Sequence, residues 1–529
     1  MLISPPYGGG RAPVLAQNIV ASSQPLATQA GIEALQNGGN AVDAALATAI
    51  TLTVVEPTMN GLGGDGFALI WDGKKLHGLN ASGRAPAAWT PDYFAGKSVM
   101  DPIGWNTVTV PGMVSGWVEL SRQFGKLPFA QLFKRAIDYA ENGFPVSPVI
   151  ARQWREAIAI LKDQPGFSQA FLIDGKAPTA GQIWKFPEQA KTLKEIAATQ
   201  GQSFYTGDLA KGIVQFAQAT GGCFTMADFA GHKAEWVKPL AFDYGDYTLH
   251  EIPPNGSGIA AQMALGILQA SNVKQYPANS AQRIHLQVEA MRMAFADAYA
   301  YVSECSTMNV TTEALLSRDY LASRAALIDH GKAGTYSAGA PHAGGTVYLC
   351  AADESGLMIS YIQSNFKGFG SGVVAPGGIA FHNRGMSFSL VDGHPNQVAP
   401  GKRPFHTILP AFLTKGDKPS MAFGVMGGNM QPQGHIQFVM RFIDEYLNPQ
   451  ACSDAPRWRI DDLGKLTVEA AMPANVVEGL KNMGHEVTVM LTNSLDFGSA
   501  QAIALLGENT QDAYIAGSDH RRDGLAAGF

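Results

Sequence analysis

Residues 341–350 read "PHAGGTVYLC", and the character of the chain changes in the middle of them. A slack run of small residues ends at Gly344 and Gly345, and an apolar, strand-like run begins at Thr346. Upstream, residues 330–345, "HGKAGTYSAGAPHAGG", carry almost no large apolar side chains and read as a mobile linker. Downstream, "TVYLCAA" and "LMISYIQS" flank the turn "DESG", a hairpin signal. Both faces of "TVYLCAA" are apolar, which predicts a central, buried strand with Tyr348 and Cys350 in the core. The local sequence leaves two readings of Thr346 open: an ordinary strand start, or a junction where the chain is cut and a new N-terminus is used.

The second reading has a chemical basis. A threonine hydroxyl is a weak nucleophile unless a base takes its proton, and the α-amine of the same residue can be that base. Such an amine has an unperturbed pKa near 8 and is partly neutral at physiological pH. It exists only if the Gly345–Thr346 bond is broken. Two further glycine motifs, "FGSGVV" (369–374) and "VMGGN" (425–429), lie on the same side of the junction. Bare backbone there can approach a substrate closely, and successive N–H groups at Gly427 and Gly428 could hold the oxyanion of a tetrahedral intermediate.

Elsewhere the sequence narrows the field. With 529 residues, 46% hydrophobic and 16% charged, the chain suits a large buried interior of two subdomains or one large unit. A net charge of −6 predicts no nucleic-acid partner and no anionic membrane surface. The four cysteines form no CxxC pair and no zinc spacing. The start of the chain does not read as a signal peptide, and "AALATAITLTVV" (44–55) is too short to span a bilayer, so a cytoplasmic protein is expected.

Residues 25–39 have helical spacing that stops at Gly38 and Gly39. Asn40, with Asp43 three residues on, predicts a capped second helix. Further helices are expected over 281–302 and near 434–447. The junction at Gly345 thus divides a helix-rich part from a β-rich part.

Three other motifs take bland readings. "GLGGDG" (61–66) matches the spacing of a dinucleotide fingerprint, but a helical segment precedes it and a strand follows, the reverse of what pyrophosphate binding needs. It reads as a structural or substrate-side glycine loop. His285 and Glu289 lie one helical turn apart, but no second histidine shares that face, so a packed or surface pair is expected and no metal site. Ser257 lacks a nucleophile elbow and reads as a helix N-cap.

Taken together, "GGNAVDAALATAITLTVVEP", "NGLGGDGFALIW", "GRAPAAW", "HLQVEAMRMAFAD", "GTVYLCAAD", "FGSGVV", "PGKRPFHTILP" and "GVMGGN" resemble, in order, the γ-glutamyltransferase family of N-terminal-nucleophile hydrolases. The resemblance runs over nearly the whole chain. It implies an α+β fold, the four-layer αββα sandwich. It implies that Thr346 cleaves the Gly345–Thr346 bond, leaving a large subunit, 1–345, and a small one, 346–529, that stay together as a heterodimer. It also implies that Thr346 is then the nucleophile, that Gly427 and Gly428 form the oxyanion pair, and that Ser364 matches a threonine bonded to the nucleophile. The partner is a small-molecule amide, and no metal or organic cofactor is implied.

The head-group pocket departs from the family pattern. The arginine that holds a γ-glutamyl α-carboxylate is replaced by Ser82, with Arg84 displaced by two. The acidic residue for the α-amine aligns with Ser387, its preceding glutamine with Arg384, an asparagine of the second strand with Phe366, and a Ser-Ser pair with His406 and Thr407. A zwitterionic head group needs a cation and an anion opposite it. Arg384 or Arg84 remains for a simple carboxylate, a pattern similar to the family's acylase-like and amidohydrolase branches. Three function classes follow: a γ-glutamyl or related acyl amide hydrolase and transferase, an acylase or small amidohydrolase, and an uncleaved binding scaffold.

Overall fold

The computed structural model describes residues 10–334, 336, 345–461, 464–490, 494–507 and 512–529. Residues 335 and 337–344 of the segment read as a linker lie outside the described residues. Two seven-stranded sheets, antiparallel throughout, pack face to face. The first runs in the order Leu525–Gly528, Ile19–Ser22, Gly345–Ala352, Met358–Phe366, Asp65–Trp71, Leu76–Ala81, Glu235–Val237. The second runs Val14–Ala16, Tyr514–Ser518, Ser499–Leu505, Lys418–Met426, Ala411–Lys415, Tyr247–Glu251, Leu240–Tyr244. Helices Pro25–Gln36 and Ala41–Val55 cover the outer face of the first sheet, and Ile259–Ala270 and Met430–Asp444 cover the second. The result is the four-layer αββα sandwich.

Local chemistry builds these layers. The helix Pro25–Gln36 ends at Asn37, and Gly38 follows at φ 85°. Asn40 then caps Ala41–Val55 through a full capping box with Asp43. Every residue of that second helix is buried, which accounts for its unbroken apolar run. No helix among the described residues is long and apolar enough to cross a membrane. The "DESG" turn closes through Gly356 N–H to the Asp353 carbonyl, and the Asp353 carboxylate accepts the Ala41 N–H at 2.6 Å. The hairpin turn is thereby fastened to the start of the helix beneath it.

Strand Gly345–Ala352 is internal to its sheet and covered on both faces, so residues 346–352 are all buried. Both sheets take strands from either side of Gly345, so the residues before and after it share one interleaved core. Helix Ala281–Tyr301 forms where expected, and most of its length is buried, more than an amphipathic surface helix would be. Helix Met430–Asp444 begins four residues earlier than read, directly after the glycine pair. The N-cap of Ile259–Ala270 is Gly258, not Ser257, which lies one residue further out and donates its N–H to the His406 carbonyl.

Candidate active site

The site is built on a register slip. Gly345 pairs with Phe366 and Val347 with Gln363, so Thr346 stands opposite two residues, Ser364 and Asn365. The extra residue of this bulge is on the facing strand, and the Thr346 hydroxyl lies against Ser364, with the two oxygens 3.4 Å apart. Gln431 Nε2 donates to the same Thr346 Oγ1 at 3.2 Å. Ser364 Oγ accepts the Phe366 N–H at 2.7 Å. Thr346 is fully buried in this arrangement.

Gly427 and Gly428 follow strand Lys418–Met426 at φ 121° and 59°, and their carbonyls accept the N–H groups of Met430 and Gln431 as the helix begins. A side chain at Gly427 would bring its Cβ to 3.1 Å from Gly498 Cα and Met430 Cβ, a tight contact at a φ that already favours glycine. The turn and Thr346 are joined through Gln431, which lies three residues beyond Gly428.

Beside this point lies a cavity of about 230 Å³ whose walls include Phe366, Ser387, Phe405, Thr407 and Asn429. Of the residues read as head-group contacts, Ser387 and Thr407 line it. Arg384 lies immediately behind its wall: the guanidinium stacks 3.7 Å from the centre of the Phe366 ring and donates to Thr407 Oγ1 at 2.9 Å. Arg384 is 1% exposed, and its buried Nη2 has no hydrogen-bond partner among the described residues. Burial draws its pKa down to about 9, with Asp65 as the opposing charge.

Arg84 and His406 are placed elsewhere. Arg84 is ion-paired to Glu304 at 2.5 Å and Glu235 at 3.1 Å and donates to the Gly401 carbonyl, so a clamp on substrate would have to break these contacts. His406 is fully buried behind the cavity, with Nε2 3.1 Å from Asp65 Oδ2. Its Nδ1 accepts the Ile408 N–H, so Nε2 carries the hydrogen and donates to the carboxylate. Burial, with Arg384 nearby, keeps His406 neutral and depresses His382 to about 3. Asp65 is pushed up to about 7 by burial, against the pull of Arg384.

Asp65 was not singled out in the sequence, although a lone acid opening an apolar strand was a usable signal. Its Oδ1 accepts N–H groups from Gly83 and Gly112, tying the "ASGRAPAAW" loop to the helix Met113–Phe124. The glycine loop before it is structural. Gly63 N–H bonds the Ala380 carbonyl, and side chains at Gly61 or Gly64 would press on Asn365 within the Thr346 bulge.

A second cluster lies apart from the site. His485, distant in sequence, joins His285 and Glu289, with ligand-type atoms all within 4.8 Å. The pair is packed and buried, as read, but its partner histidine arrives from another element. Arg292 Nη1 donates to Glu289 at 2.8 Å and lies 3.5 Å from His485 Nδ1, so a guanidinium already engages two of the three residues. Cys350 is buried, and burial raises its thiol pKa, which fits a core residue.

The Gamma-glutamyltranspeptidase family model matches residues 27–529. The chain belongs to the γ-glutamyltranspeptidase family. Within it, the chain is 36% identical to the glutathione hydrolase-like YwrD proenzyme of Bacillus subtilis, over 97% of this chain and 98% of that one. It is 36% identical to the oxamate amidohydrolase proenzyme of Klebsiella pneumoniae, over 95% of this chain and 97% of that one. The cephalosporin acylase of Bacillus halodurans superposes with a TM-score of 0.93 at 45% identity, covering 100% of this chain and 99% of its own. The γ-glutamyltranspeptidase-family chain is thus an N-terminal-nucleophile hydrolase by sequence and by fold.

Proposed function

We propose that this enzyme cleaves itself at Gly345–Thr346 and then hydrolyses or transfers a carboxylate-bearing acyl group from an amide. The observation that carries the reading is the hydroxyl of Thr346, held by Ser364 and Gln431 at a bulge beside the Gly427–Gly428 turn. In self-cleavage, Thr346 Oγ1 attacks the Gly345 carbonyl carbon. The C–N bond breaks with the proton ending on the Thr346 nitrogen, and water hydrolyses the resulting ester. The products are 1–345 and 346–529, which the interleaved sheets keep together as a heterodimer. In turnover, the freed amine takes the Thr346 hydroxyl proton as the oxygen attacks the substrate carbonyl. The N–H groups of Gly427 and Gly428 hold the oxyanion, the amine returns the proton to the leaving nitrogen, and water or an acceptor amine releases the acyl group.

The substrate reading rests on Arg384. A buried guanidinium with an unused Nη2, one layer behind Phe366 and Thr407, suits an acyl carboxylate. Ser82 and Ser387 stand where a γ-glutamyl head group would need an arginine and an acid, and the relatives named for oxamate and cephalosporin point the same way. Denaturing electrophoresis with N-terminal sequencing tests the cleavage. Wild type should yield two chains, the smaller beginning at Thr346, and Thr346→Ala should remain one inactive chain. A processed, active Thr346→Ala would overturn the nucleophile assignment. A clear preference for γ-glutamyl anilide over glutaryl amides and oxamate would overturn the substrate reading.

A further inference from the structure

Gln431 is fully buried in the first turn of helix Met430–Asp444. Its Oε1 accepts the Leu409 N–H at 2.8 Å, which fixes which end of the amide faces which way. Nε2 is therefore the atom turned to Thr346 Oγ1, at 3.2 Å. Ser364 lies against the same oxygen at 3.4 Å, a contact in which either hydroxyl can be the donor, and its own Oγ accepts the Phe366 N–H at 2.7 Å. One oxygen thus faces the Ser364 hydroxyl and the Gln431 amide, of which Gln431 Nε2 is a donor in any case, and only Ser364 was visible in the sequence.

We propose that Gln431 is a catalytic residue, whose Nε2–H holds Thr346 Oγ1 and stabilises the negative charge on it whenever the Oγ1–H or Oγ1–acyl bond is being made or broken. The assignment rests on Thr346 as the nucleophile. A hydrogen bond to a charged oxygen is stronger than one to a neutral hydroxyl, so Nε2–H contributes more as the proton leaves Oγ1 and again as the acyl ester departs. Before cleavage the Thr346 nitrogen is part of a peptide bond and cannot act as the base. Gln431 Nε2–H faces Oγ1 in the uncut chain, so it acts on that oxygen in self-cleavage as well as in turnover.

The test uses the full-length chain with two substitutions. Gln431→Met keeps the bulk and removes the donor, and Gln431→Glu keeps the acceptor for Leu409 while losing the donor on ionisation. The expectation is self-cleavage slowed about 10- to 100-fold in both, and kcat on a glutaryl amide lowered about tenfold or more with KM within about twofold of wild type. A protonated carboxyl can donate, so the Gln431→Glu to wild-type rate ratio should rise as pH falls, whereas the Gln431→Met ratio should stay flat. Measured in the pH range where both variants keep wild-type KM and wild-type urea midpoints, that divergence reports the donor and not a loss of structure. Wild-type rates in both folded variants, or losses confined to KM, would overturn the proposal. A failure of the nucleophile reading is distinguishable, because it would appear as activity in Thr346→Ala whatever residue 431 is.

Discussion

Gly345 lies directly across the antiparallel ladder from Phe366, whose backbone is left-handed at φ 76°. A bulky aromatic in that region costs about 1–3 kcal/mol unless its surroundings hold it there. Here the same twist presents the Phe366 N–H to Ser364 Oγ at 2.7 Å and lays the ring over Arg384. Replacing the ring by a small residue empties a buried site, and both Phe366→Ala and Phe366→Gly should lose about 3–5 kcal/mol from that. Glycine alone relieves the backbone, so Phe366→Gly should be the more stable of the two by about 1 kcal/mol in urea denaturation, reversing the usual order. Equal stability, or alanine above glycine, would mean that residue 366 is not left-handed in solution.

The glycine pair is asymmetric, and the asymmetry is measurable. Gly427 sits at φ 121°, which L residues rarely adopt, and a Cβ there would press on Gly498 and Met430 at 3.1 Å, while Gly428 at φ 59° lies in the left-handed helical region. Gly427→Ala should therefore displace its N–H and lower kcat about 100- to 1000-fold, the usual loss for one oxyanion donor. Gly428→Ala should keep its conformation and lose about tenfold or less. Steady-state kinetics on the two variants checks the order.

Arg384 should decide acyl selectivity. In Arg384→Met the KM for a glutaryl amide should rise about 10- to 100-fold, with little change for a neutral butyryl amide, because only the former loses a charge-assisted contact. An equal loss on both substrates would confine Arg384 to its structural contacts with Thr407, Phe366 and the field of Asp65.

What was legible in the sequence was local. The hairpin after Thr346, the capping box at Asn40 and Asp43, and the apolar run of the central strand are each written in contiguous residues, and they form as read. The contacts that organise the site are not contiguous. Gln431 reaches Thr346 across 85 positions, and His406 reaches Asp65 across 341, so neither pairing leaves a spacing to detect. The helix after the glycine pair did carry a signal: Gln431, Gln433 and Gln437 are uncharged polar residues on a buried helix, each of which must find a partner inside. Arg84 shows the opposite limit, since proximity in sequence to Ser82 suggested a clamp, while Glu235 and Glu304, remote in the chain, claim its guanidinium.

His485 predicts a specific pH dependence. It belongs to a hydrogen-bonded chain from the Asp329 carbonyl through His285, with His285 Nδ1 2.7 Å from His485 Nε2, then on to Arg292 and Glu289. Glu289 in turn accepts from Gly334 N–H and Tyr336 O–H, fastening the segment before Gly345 to helix Ala281–Tyr301. Burial first, and then Arg292 and His285, hold His485 down to about 3. An unfolded histidine titrates near 6.5, so between that pH and about 3 the unfolded chain binds a proton that the folded chain does not. The contribution of His485 is therefore complete above pH 6.5 and is lost progressively as the pH falls. His485→Gln abolishes that proton uptake while retaining an amide that can hydrogen-bond. Urea denaturation at pH 7 and pH 5 should show wild type losing more stability over the interval than His485→Gln, and equal losses would mean that His485 is already charged in the folded protein.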